Sequence, residues 1–143
     1  MIIPIKSASV LNGQLAGLVA KVKRRDFDPD SFIRYMYGVL DRDDVMLLVN
    51  VEGDEIDSFV FSEVVQNLTS RDIFIDLAYL NPKRPGLSAE MMRLLSNWAR
   101  LHGAGRITFL TPDKKRADAF NKRYDFKHAG FFMTKEVEDE RIL

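Results

Sequence analysis

Between residues 73 and 110 the hydrophobic period changes from two to about 3.6 and back again, and that switch narrows the fold more than any other feature. Ile73, Ile75, Leu77 and Tyr79 alternate with Phe74, Asp76, Ala78 and Leu80, as in a β-strand. The stretch NPKRPG follows, a turn rich in positive charge. Leu87, Met91, Leu94, Leu95 and Trp98 then line one face of a helix that Gly103 is placed to end, and RITFL reads as a second short strand.

The rest of the chain extends this pattern. Leu11, Leu15, Leu18, Val19 and Val22 repeat at helical spacing. Phe32, Ile33, Met36, Val39 and Leu40 do so again after Asp30, which suits an N-cap. The mixed-charge run KRRDFDPD joins these two helices. VMLLVNV and IDSFVFSEV read as a hairpin around the turn EGDE. Asp113 is placed to cap a helix whose inner face holds Ala117, Phe120 and Tyr124, and HAGFFMTKEV closes as a strand. The predicted order is β-α-α-β-β-β-α-β-α-β, an α/β fold with a mixed sheet. Phe59, Phe61, Phe74, Phe109, Phe131 and Phe132 fall on strands at core-like spacing, so they read as core rather than as a base-stacking platform.

At 143 residues and 46% hydrophobic content, one domain over residues 1–143 accounts for the chain and can bury a sizeable core. No Pro/Ser/Gly-rich tract, low-complexity segment or repeat argues for a linker. The opening MIIPIKSASV is too briefly apolar for an export signal and no segment has the length of a membrane span, so a cytoplasmic protein is expected. With no cysteine there is neither a thiolate nucleophile nor a Cys-type zinc site, and only His102 and His128 offer imidazole; no metal is expected.

The formal net charge of zero conceals a division. Residues 26–76 carry 13 acidic and 3 basic side chains, whereas residues 77–127 carry 4 acidic and 11 basic. Two oppositely charged halves suit a site that holds a polyanion on one side and a basic substrate on the other.

The loop NPKRPGLSAEMM, the WARLHGAGRITFLTP after it and the later ADAFNKRYDFKHAGFFMTKEV resemble the GNAT superfamily of N-acetyltransferases over nearly the whole chain. The resemblance implies a single GNAT-like domain, a mixed central sheet flanked by about four helices, and acetyl-CoA as acyl donor. In that family the turn before the long helix reads Q/R-x-x-G-x-G/A, and its backbone amides hold the pyrophosphate. Here the matching run is Lys83-Arg84-Pro85-Gly86-Leu87-Ser88. Gly86 fits the pattern; Lys83 keeps the charge without the bidentate fork, Ser88 is small, and Pro85 removes one N–H donor. KRRDFDPD falls where relatives place a substrate-covering loop. Lys114 stands nearest the place of an asparagine that contacts the pantetheine arm, and Asn121 stands where the family often has a tyrosine that reprotonates the thiolate. Asparagine has no proton to give at any ordinary pH.

By the same resemblance the thioester oxygen meets a backbone N–H near Tyr79 and Leu80, so the expected cofactor contacts are Leu80, Lys83, Arg84, Gly86, Leu87, Ser88, Lys114 and Asn121. For proton removal from the amine, Asp76 is the best-placed carboxylate, mid-strand among apolar residues where burial would raise its pKa; Asp57, Glu63 and His128 are alternatives. Tyr124 reads as packing beside Phe120. The leading expectation is transfer of an acetyl group to a primary amine of a small molecule or a peptide. A degenerate relative that binds CoA or a protein partner without catalysis is the second, and a nucleic-acid-binding module using the basic stretch is the weakest, because the acidic half resists a polyanion. A homodimer is left open.

Overall fold

The computed structural model describes residues 1–11, 13–22, 27–111 and 113–127, with Ala129, Met133 and Lys135. Two compact units divide the chain at Leu110. Met1–Leu110 holds a five-stranded sheet of β1 (Ile2–Ile5), β2 (Val45–Glu52), β3 (Glu55–Gln66), β4 (Arg71–Tyr79) and β5 (Arg106–Phe109), in that spatial order. The pairs β1–β2, β2–β3 and β3–β4 are antiparallel, and β5 runs parallel to β4 after the crossover through α3 (Leu87–Leu101). A 3₁₀ turn (Ala8–Val10), α1 (Gln14–Val19) and α2 (Pro29–Val39) lie between β1 and β2. The mixed sheet and the helix order are those expected. The predicted last strand, 128–137, and both Phe131 and Phe132 lie outside the described residues apart from Ala129, Met133 and Lys135.

Each face of the sheet builds its own core. Leu15, Leu18, Val19 and Met36 of the first two helices, with Leu11 before them and Leu40 after them, cover Val45, Leu47, Val49, Phe59, Phe61 and Leu77. On the other face Leu87, Met91, Leu95, Trp98 and Ala99 of α3 cover Leu48, Val60 and Ile73. Phe59 and Phe61 are 0% exposed, and burying a side chain of that size contributes about 1.5–3 kcal/mol. Phe74 and Phe109 are only partly buried.

Two local expectations need correction. Asp28, not Asp30, caps α2: Pro29 takes the first helical position, where its missing N–H costs nothing, and the Asp28 carboxylate accepts from the Asp30 N–H and the Ser31 hydroxyl. The alternation of β4 also does not hold along its length. Ile73 and Ile75 pack toward α3, yet Leu77 and Tyr79 pack toward α1 and α2. Between them Phe61 pairs with Leu77 and Ser62 with Ile75, so Asp76 is an extra residue, a β-bulge that moves the rest of the strand to the opposite face. A second bulge lies across the β2–β3 hairpin, where Asn50 pairs with Ser58 and Val51 with Ile56, leaving Asp57 over.

The second unit, Thr111–Leu143, contributes α4 (Lys114–Tyr124), capped by the Asp113 carboxylate on the Lys115 and Arg116 amides and closed by Asp125 at φ 58°. Phe120 packs against Tyr124 and Phe126, with ring centroids 5.6 and 5.5 Å apart. Tyr124 is therefore a packing residue, as its spacing predicts.

Candidate functional site

β4 outruns its parallel neighbour. It pairs with β5 from Asp72 to Ile75, opposite Arg106 to Phe109, and then continues to Tyr79. From Leu77 to Tyr79 no strand among the described residues pairs with β4 on the side that faces β5, so the sheet opens there. The parallel end is held shut by Asp72, which is 3% exposed and accepts from Arg106 at 3.0 and 2.9 Å and from Asn67 at 3.0 Å. The opening thus starts from a fixed point.

Past Tyr79 the chain turns through residues 80–86 into α3. Asn81 organises that turn: its N–H donates to the Ser58 hydroxyl at 2.8 Å, its side-chain oxygen accepts from the Lys83 N–H at 3.0 Å, and its carbonyl accepts from the Arg84 N–H at 3.0 Å. Gly86 sits at φ 83°, a left-handed conformation that an L side chain seldom takes, and directly precedes the first turn of α3. The Leu87 N–H donates to the Arg84 carbonyl at 3.4 Å, and the helix dipole favours an anion beside that first turn. Leu87 is 8% exposed and seats its side chain in the α3-side core, as does Leu80 in part. Lys83 is exposed. The guanidinium of Arg84 instead lies against Asp57, with Nε 3.0 Å from Oδ2, and 3.9 Å from Glu52.

On the face covered by α1 and α2 an acidic group forms around the bulge. The Tyr35 hydroxyl of α2 donates to the Glu63 carboxylate of β3. That bond, aided by burial and by the negative charges of Glu63 and Asp76 and opposed by Arg42, pushes the Tyr35 phenol up to about 12. The Oδ2 atom of Asp76 is shielded from solvent. Tyr79 packs in the same layer, with the Lys21 ammonium 5.5 Å from its ring centroid.

Asp76 and Tyr79 lie at the end of β4, Leu80, Lys83, Arg84 and Gly86 lie in the turn after it, and Leu87 and Ser88 open α3. Asp57 and Glu63 do not share one role: Asp57 lies under the turn and Glu63 lies by Tyr35. Lys114 and Asn121 belong to the second unit, where Lys114 opens α4 and the Asn121 side-chain amide donates to the Phe126 carbonyl. His128 and residues 23–26 lie outside the described residues. Tyr35 and Asn81 were not foreseen. The Asn-Pro pair after a strand is a signal that could have singled out Asn81, whereas nothing local marks Tyr35. Among the described residues no group of three His, Asp or Glu side chains could hold a metal ion, and no helix is long and apolar enough to cross a membrane.

No family model matches the chain, and no curated protein matches it. Solved structures do. The aminoglycoside 6'-N-acetyltransferase AAC(6')-IG from Acinetobacter haemolyticus superposes with a TM-score of 0.75 at 16% identity, over 96% of this chain and 99% of that one. A predicted acetyltransferase with acetyl-CoA from Clostridium acetobutylicum gives 0.70 at 15% identity, over 95% and 96%. Glucosamine-6-phosphate N-acetyltransferase from Arabidopsis thaliana gives 0.72 at 12% identity, over 96% and 99%. With a β4 that leaves β5 after four paired residues and a glycine-led helix behind it, the chain has the fold of the GNAT acetyltransferases.

Proposed function

We propose that this protein is an acetyl-CoA-dependent N-acetyltransferase acting on a primary amine of a small molecule or a peptide. The observation that carries the reading is the open edge of β4 beside the Gly86 turn. Neighbours of the same fold include one solved with acetyl-CoA and others named as aminoglycoside and glucosamine-phosphate acetyltransferases.

Bound acetyl-CoA would supply an activated acetyl thioester. Gly86 lets the backbone approach its pyrophosphate at the start of α3, where the helix dipole favours an anion, and Lys83 adds a point charge. Backbone donors near Tyr79 and Leu80, fixed in a strand before the substrate arrives, polarise the thioester oxygen without reorganising. Asp76 takes the proton from the acceptor ammonium, and Glu63 and Asp76 together favour a cationic acceptor on that face. The amine then forms its bond to the acetyl carbon as the bond to sulfur breaks. Solvent protonates the departing thiolate, since Asn121 stands where relatives carry a tyrosine. The same asparagine motivates a second reading, CoA binding without transfer.

Acetyl-CoA at about a hundred times its dissociation constant stabilises the native state by about 2.7 kcal/mol, which raises the melting temperature by roughly 5–10 °C. No shift with acetyl-CoA, CoA or pyrophosphate removes the anion site. Thiol release measured over a panel of amines separates transfer from binding alone. Asp76→Asn is expected to slow that release by about a hundredfold or more, and an unchanged rate takes Asp76 out of the mechanism.

A further inference from the structure

Asp57 is the residue left over at the β2–β3 bulge, and a bulge re-aims the side chain it carries. Its carboxylate faces the turn that leads into α3. Oδ1 accepts from the Asn50 amide at 2.8 Å, while Oδ2 accepts from the Asn81 amide at 3.2 Å and from Arg84 Nε at 3.0 Å. The neighbouring Ser58 hydroxyl accepts the Asn81 N–H. Two consecutive β3 residues thereby hold residue 81 by side chain and by backbone, and the first holds residue 84 as well.

We propose that Asp57 is the positioning residue of the 81–86 turn and that Arg84 is the tether it grips rather than a ligand of phosphate. For Arg84 to turn toward an anion it would have to leave a carboxylate that is 16% exposed, stranding that charge under the site meant to receive a polyanion. Keeping the pair intact cancels the charge instead. Lys83, which forms no ion pair among the described residues, is then the side-chain cation left for the phosphates. The consequence for CoA rests on the acetyl-CoA reading above; the tether itself does not.

The test uses the full chain with Asp57→Asn, Arg84→Met and Lys83→Met. In the absence of ligand, amide exchange at Lys83 and Arg84 is expected to quicken about tenfold or more in the first two variants and to stay unchanged in the third, because only the first two free the turn. With CoA, the Asp57 and Arg84 variants bind about tenfold more weakly, yet the Arg84 variant keeps the wild-type salt dependence and the Lys83 variant loses part of it. Unchanged exchange in Asp57→Asn, with the far-UV spectrum intact, overturns the tether. So does tighter CoA binding with a steeper salt dependence in Asp57→Asn, the mark of an arginine that the aspartate had been masking. Arg84→Met, changed at an exposed position, decides the matter if Asp57→Asn fails to fold. If wild type binds no CoA, the anion site falls, and exchange alone still judges Asp57.

Discussion

Tyr35 shows how a single side chain reports on a site. Its phenol is 47% exposed, yet its hydroxyl is committed to Glu63, and ionising it would place a third negative charge beside Glu63 and Asp76. A phenol raised from 10 to about 12 adds stability that is complete below pH 10 and is lost as pH climbs through the folded value. An ultraviolet titration of the tyrosines is therefore expected to contain a late phase near pH 12 that Tyr35→Phe removes and Glu63→Gln moves back toward ordinary values. A titration of the Tyr35 variant identical to wild type would contradict this environment. The sequence does not expose the pair, because residues 35 and 63 meet only after a helix folds over a strand. Asp76 was legible for a different reason: a carboxylate amid apolar alternation is visible in the letters alone.

At the level of elements, the junction of β4 and β5 sets where the sheet begins to open. Hydrogen bonds from Arg106, opposed by burial and supported by the arginine's charge and by Ser70 and Asn67, hold the Asp72 carboxyl below its usual range. Such a group contributes stability above its unfolded pKa, and the contribution fades as pH falls through the lower folded value. Asp72→Asn is expected to lower the melting temperature by about 5 °C near neutral pH and to flatten the fall in stability below about pH 4. Equal acid sensitivity in the two proteins would place the loss elsewhere. The elements themselves were readable because hydrophobic period is a local property; the helical face from Leu87 to Trp98 and the stop at Gly103 need no tertiary information. The α2 cap was misplaced by two residues because both Asp28 and Asp30 are chemically able, and the choice falls to Pro29 between them.

Across the whole molecule, neighbouring strands in sequence are neighbours in space, and the deepest side chains gather on β2 and β3. Native-state amide exchange should accordingly be slowest in β3, around Phe59 and Phe61, and much faster in α4, which has no buried residue. Comparable protection in the two would show that α4 owes its order to more than its own Phe120–Tyr124–Phe126 packing. The acidic side chains Glu63 and Asp76 lie by Tyr35, whereas the basic Lys83 is exposed in the turn before α3. What no pattern of alternation discloses is that both sheet irregularities fall on aspartates.

Those two residues, Asp57 and Asp76, are insertions in the plainest sense: remove either one and the flanking residues come into uninterrupted register. A protein selected for sheet regularity alone would discard them. Their retention would then be a cost borne for chemistry, and a library of single-residue deletions scored separately for solubility and for ligand binding would find these codons among the few where the two scores part company.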